Sequence, residues 1–170
     1  MARNTSLKSH QWDSAIDPEI APLFLSLQWV QAQSMDLMHP LLIKYGLSLA
    51  EFDVLATLRN APAPHAMTPS QIQHEVVITS GGLTKVMLQL EARNLVERHQ
   101  SQDDLRVKPV CLTPEGATTI EAAMTEMICV TGAWIRNALD PQQTKLLTSL
   151  LRAVLDSSIQ SKENTKAACG

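Results

Sequence analysis

The chain has 170 residues, of which 45% are hydrophobic, and a formal net charge of −3. That length supports one sizeable core, and the balance sets aside a disordered polar chain, a disulfide scaffold and a strongly basic polyanion binder. No segment approaches the roughly 20 apolar residues of a membrane span, and residues 1–15 lack the apolar run of a signal peptide, so the expected location is cytoplasmic, with no membrane partner.

The first expected element is a long helix. Asp17-Pro18 offers a cap followed by proline, and Ile20, Leu23, Phe24, Leu27 and Val30 recur at helical spacing toward His39. Pro40 removes a backbone donor, so a kink or restart is expected there before Tyr45-Gly46 ends the element. Ser48 caps the next helix and Glu51, three residues on, completes a capping box; Phe52, Val54, Leu55 and Leu58 form its inner face. After the loop Asn60-Ala61-Pro62-Ala63-Pro64, Thr68-Pro69-Ser70-Gln71 combines a cap, a proline at the first helical position and a second capping box. The short helix it opens ends near His74 or Glu75. A tight turn leads into another helix, from Thr79-Ser80-Gly81-Gly82 to about Asn94, with Leu83, Val86, Met87 and Leu90 inward and Gly81, Thr84, Lys85, Leu88 and Gln89 outward. Leu95 to His99 and Val107 to Leu112 read as two strands, and Pro109 places the second at a sheet edge. Thr113-Pro114-Glu115 starts a long helix carrying Ile120, Met124, Met127, Ile128 and Ile135. Asp140-Pro141-Gln142-Gln143 caps a last one, with Leu146, Leu147, Leu150, Leu151 and Val154, and the polar tail after Ile159 is expected to fray.

Helix, turn, helix, hairpin, helix is the order of a winged helix-turn-helix, so the fold class is mostly α with a small β-hairpin. One domain, residues 1–170, is expected: a DNA-binding lobe at about 48–112, and dimerisation helices at about 10–45 and 113–160. These long helices offer more apolar face than the lobe can cover, which a second copy of the chain would bury. Thr79, Ser80, Gly81, Thr84, Lys85 and Gln89 suit close approach to phosphates and base edges, although the residues alone equally describe a solvated helix face. Between Met67 and Leu112, Lys85, Arg93, Arg98, Arg106 and Lys108 balance Glu75, Glu91, Glu97, Asp103 and Asp104, so non-specific affinity should be weak. Strand alternation groups Arg98 with Val96 and Gln100 on the inner side of the first strand.

Catalytic chemistry finds no motif: His10, His39, His65, His74 and His99 are scattered, with no His-Glu-x-x-His, nucleophile elbow or phosphate-cradling loop. Neither an enzyme, nor a cofactor, nor a metal is expected. Cys111, Cys129 and Cys169 lack ligand spacing and read as free thiols, the first two in places usual for a buried one.

Leu49-Ala50-Glu51-Phe52-Asp53-Val54-Leu55, Thr79-Ser80-Gly81-Gly82-Leu83-Thr84, Leu90-Glu91-Ala92-Arg93-Asn94-Leu95-Val96-Glu97-Arg98, Asp103-Asp104-Leu105-Arg106 and Leu112-Thr113-Pro114-Glu115-Gly116 together resemble the MarR family of bacterial transcription regulators. The resemblance spans about residues 20 to 155. It implies an obligate homodimer on an inverted-repeat, double-stranded operator, a recognition helix in the major groove, and Arg106, oriented by Asp104, at the minor groove.

Within that family Gln11-Trp12, the Glu51 to Leu55 stretch and Val77-Ile78-Thr79-Ser80-Gly81 are similar to the urate-responsive, PecS-type branch. The branch's ligand site implies Trp12, Asp53 and Arg98, but its recognition-helix arginine is Val86 here. A buried anion needs a charge-assisted donor, which valine lacks. The expected inducer is therefore a small aromatic molecule, such as a phenolic, aryl-acetic or indolic acid, near Trp12, Trp29, Met35, Met38, His39, Phe52, Asp53, Val86 and Arg98, and its binding releases a repressor from DNA. The alternative is a cysteine-based redox sensor, against which stands the lack of a cysteine near the start of the first long helix.

Overall fold

A computed structural model describes residues 18–63, 65–76, 78–98 and 108–168, with side chains as far as residue 157. The elements in chain order are α1 (Ile20–Lys44), α2 (Leu49–Asn60), β1 (Ala66–Met67), α3 (Pro69–Glu75), α4 (Ser80–Ala92), β2 (Val96–Arg98), β3 (Val110–Leu112), α5 (Pro114–Ala138) and α6 (Pro141–Ala168). They fall into two compact units, residues 1–123 and 124–170, with α5 beginning in the first.

Local chemistry explains most boundaries. The Ser48 hydroxyl accepts the Glu51 amide at 3.2 Å while a Glu51 carboxylate oxygen takes the Ser48 amide at 2.8 Å, closing a capping box at the start of α2. Thr68 and Gln71 repeat that exchange at α3, where Pro69 occupies the first turn and has no amide to lose. At α6 the Asp140 carboxylate accepts the Gln142 and Gln143 amides at 2.7 and 2.9 Å. Gly46, at φ +62°, closes α1: its amide reaches Ile43 O and the Leu47 amide reaches Leu42 O.

Four expectations need correction. The start of α1 has Glu19 as its cap position, with no side-chain cap, and Asp17 lies outside the described residues. Pro40 sits inside α1, which runs on to Lys44 as one helix, so no restart occurs there, and the expected Tyr45-Gly46 end is the one observed. The hairpin is extended to a three-stranded antiparallel sheet in the order β1-β3-β2, which makes β3 the central strand. Pro109 precedes the first paired residue of β3, so its missing amide falls outside the ladder, and Ala66 and Met67 pair with Cys111 and Val110 along the other side. Finally, α6 continues past Ile159 to Ala168.

The core of the first unit joins Val54, Leu55 and Leu58 of α2, Ile72 of α3, Met87 and Leu90 of α4, Val110 of β3 and Ile120 of α5, all at 1% exposure or less. The sheet and α5 are tied to α4 by a short polar knot. Asn94 turns the chain at φ +54°, its carbonyl accepts the Thr113 hydroxyl at 2.6 Å, and that hydroxyl accepts the Gly116 amide at 3.0 Å. Gly116 belongs to this knot by necessity: a Cβ there would lie 1.9 Å from Leu95 O.

Candidate nucleic-acid interface

Two capped helices at a tight turn position the exposed face of α4. Between them the Val76 amide bonds Ile72 O at 3.0 Å, the Ile78 amide bonds Val76 O at 3.0 Å, and Gln73 Nε2 donates to Ile78 O. Thr79 then caps α4, its hydroxyl accepting the Gly82 amide at 3.1 Å. Leu83, Val86, Met87 and Leu90 are buried, whereas Thr79, Ser80, Gly81, Thr84, Lys85, Leu88 and Gln89 are exposed. The division of the helix into two faces read from sequence is the one the structure has.

The two adjacent glycines differ. A Cβ on Gly82 would meet Ile78 Cγ1 and Thr79 Oγ1 at 3.0 Å, so the turn itself asks for a small residue there. A Cβ on Gly81 would meet nothing within 4 Å. Gly81 therefore leaves an open approach to the first turn of the helix, where amides face outward and the dipole favours anions.

At its other end α4 is braced. Glu51 is buried, and besides its capping bond a second oxygen pairs with Arg93 Nη1 at 3.1 Å, joining the start of α2 to the end of α4. Arg98 Nε donates to Glu91, joining β2 to α4. This corrects the expected inward orientation of Arg98: the residue is exposed at the end of a three-residue strand, and the carboxylate of Glu91 on the preceding helix holds its guanidinium. Sequence reasoning missed both braces, since no local spacing links Glu51 to Arg93 or a helix end to the strand after it.

The remaining expected ligand residues occupy mixed surroundings. Trp29, Met35 and Met38 on α1 are half-buried and His39 is exposed. Phe52 and Val86 are part of the buried core of the first unit. Asp53 projects from the outer face of α2, yet neighbouring atoms desolvate its carboxyl enough to raise its pKa. Trp12 and Arg106 lie outside the described residues, as do Cys169 and the tip between the strands. Neither described cysteine has the expected burial: Cys111 is half-buried and Cys129 exposed. Partial burial first and the nearby Glu97 charge second push the Cys111 thiol up, which keeps it protonated and a poor nucleophile. Among the described residues no cluster of three His, Cys, Asp or Glu is placed to hold a metal ion, and no helix is long and apolar enough to cross a membrane.

Residues 47–108 match the family model described as "MarR family". That stretch holds α2 to β2, so the winged-helix lobe is the part of the chain that is similar to the family. PecS of Dickeya dadantii is 39% identical over 85 residues, half of this chain and 51% of that protein. Among solved structures, a mutant MarR from E. coli complexed with operator DNA is 26% identical with a TM-score of 0.64, over 81% of this chain and 96% of that one. NadR in complex with 4-hydroxyphenylacetate shares the fold at 22% identity and a TM-score of 0.65, over 76% and 89%. A mostly helical architecture with a small antiparallel sheet thus matches the winged helix-turn-helix of the MarR structures.

Proposed function

We propose that this protein is a ligand-responsive transcriptional regulator that binds an inverted-repeat operator as a homodimer and is released as a repressor by a small aromatic acid. The observation that carries the DNA-binding part is the exposed face of α4: a capped N-terminus, an unobstructed Gly81, the hydroxyls of Ser80 and Thr84, and the Lys85 and Gln89 side chains, all opposite a buried face. A major groove accepts such a helix, with the first turn at phosphates and the side chains at base edges. The E. coli MarR mutant bound to operator DNA supports the same reading. Exposed Ile20, Leu23, Phe24 and Val30 on α1, with Leu146, Leu147, Leu150 and Val154 on α6, supply apolar area suited to a second copy.

The inducer reading rests on less direct support. NadR's fold holds 4-hydroxyphenylacetate, and half-buried Trp29, Met35 and Met38 offer apolar surface to a flat ring. Where the urate-responsive branch carries an arginine on α4, buried Val86 has no charge to offer an anion, so urate itself should be a poor inducer. Redox sensing remains the second reading because Cys129 is exposed, while the raised Cys111 pKa disfavours that thiol as the sensor.

The test is equilibrium binding of the full chain to duplexes enriched from a random-sequence library. Wild type should select an inverted repeat, and Lys85→Ala should weaken that binding about tenfold and lower its salt slope by about one. Either 4-hydroxyphenylacetate or another acid from a phenolic and indolic panel should release the duplex. Release by peroxide alone, abolished by Cys129→Ser, would transfer the reading to redox sensing. A folded monomer that enriches no duplex would overturn it.

A further inference from the structure

Leu88 stands apart on α4. It is 58% exposed, on a helix whose other large apolar residues, Leu83, Val86, Met87 and Leu90, are all buried. An exposed leucine leaves its burial free energy unused, so a partner that covers it at this position would gain that contact. At 100° per residue Leu88 falls within about 60° of Gly81, Thr84 and Lys85, nearly in line with Gly81 and opposite Val86. It is seven residues on from Gly81, about 10 Å along the helix axis. The surroundings decide what kind of partner fits. Apart from Ala92 at its end and Glu91, whose carboxylate is held by Arg98, the rest of the face is glycine, hydroxyls, Lys85 and Gln89, which suits a polar, anionic surface and not an apolar protein groove. One apolar group projects from the base edges of such a surface: the C5-methyl of thymine in the major groove.

We propose that Leu88 reads a thymine methyl in each half-site of the operator, and so sets sequence preference two turns into the recognition helix while the first turn positions the phosphates. This rests on α4 entering the major groove. Within that frame it assigns Leu88 a role in specificity that its neighbours, with their polar side chains, cannot take.

The test substitutes deoxyuridine for thymine, which deletes the C5-methyl and leaves base pairing intact. Duplexes enriched from a random library by the full-length wild type are resynthesised with each thymine replaced in turn, and binding is measured for wild type, Leu88→Ala and Leu88→Met. One symmetric thymine pair should stand out. Replacing it should weaken wild type by about fourfold per half-site, the worth of one buried methyl-sized group. The same replacement should leave Leu88→Ala unaffected, and Leu88→Met should retain most of the wild-type sensitivity. Because the side chain is exposed, Leu88→Ala should keep wild-type thermal stability, which separates loss of reading from loss of folding. If a duplex is enriched but no thymine shows this coupling, Leu88 is not a base reader and the DNA-binding reading stands. If no duplex is enriched and Lys85→Ala changes nothing, both fail. If Leu88→Ala alters oligomeric state in sedimentation and not sequence preference, its partner is another copy of the chain.

Discussion

Leucine is used in opposite ways in the core of the winged-helix lobe and along α6. In the winged-helix lobe Leu55, Leu58 and Leu90 have no exposed surface at all, whereas on α6 Leu146, Leu150 and Leu155 are each more than half exposed. The lobe is closed on itself by caps, by the Glu51 to Arg93 brace and by the knot around Thr113. By contrast α6 has a capped start and an apolar stripe that is largely exposed in the single chain. The difference teaches that folding and assembly are assigned to separate leucines. Those in the lobe hold the proposed DNA-reading surface in shape, and those on α6 face the surface that the proposed second copy would bring.

The largest effect should come from Gly116→Ala. Its Cβ would sit 1.9 Å from a backbone carbonyl oxygen, and neither Leu95 nor the start of α5 can retreat without breaking the knot. We expect a loss of about 3 kcal/mol, or a fall of roughly 10 °C in melting temperature, seen by calorimetry. Gly81→Ala is its internal control, because open space surrounds that position and alanine favours a helix; thermal stability should hold or rise by a few tenths of a kcal/mol. Equal destabilisation by both would dissolve the distinction between the glycine kept for packing and the one kept for approach.

A pair of charges on α6, Leu147→Glu with Leu150→Glu, probes the other half of the comparison. These side chains are 45% and 57% exposed in the single chain, so the substitution removes little internal packing. Sedimentation should report a shift from dimer to monomer, with operator affinity falling by about tenfold or more as the two half-sites lose their linkage. Amide exchange in α2 and α4 should stay slow. Collapse of that protection together with the dimer would mean that the lobe does not stand alone.

Most of the lobe was legible in the sequence because its signals are local. A hydroxyl with Glu or Gln three residues on, as at Ser48 and Thr68, writes a helix start within four letters, and Leu83, Val86, Met87 and Leu90 write the inner face of α4 in eight. What escaped is what depends on distant partners. The two-residue β1 has no pattern of its own and exists because β3 offers it a free edge. Arg93 and Arg98 differ little in sequence from surface arginines, and only the folded chain brings Glu51 and Glu91 to them. The expected ligand set was legible as residue types alone: its described members divide between buried Phe52 and Val86, half-buried Trp29, Met35 and Met38, and exposed His39, Asp53 and Arg98.

Asp53 gives the smallest effect and the sharpest sign. It shares α2 with the buried Val54, Leu55 and Leu58 but lies on the outer face, where partial desolvation raises its carboxyl pKa. A group whose folded pKa exceeds its unfolded value holds its proton more tightly in the native state. The native state therefore loses stability as pH rises through the window between those two values, and above it the whole penalty is present. Asp53→Asn removes the charge and not the shape, so the variant should melt at or slightly above wild type at neutral pH, and the two curves should converge as pH falls below the ordinary aspartate range. Melting curves of both proteins at matched ionic strength from neutral to acid pH give the comparison directly. A variant less stable than wild type at neutral pH would mean that the carboxylate makes a favourable contact in the folded chain, and Asp53 would then belong with Glu51 among the groups that hold the lobe together. Stability unchanged at neutral pH, combined with an altered release of operator by aromatic acid, would instead place Asp53 where the proposed inducer acts, on a carboxylate that the fold tolerates and does not require.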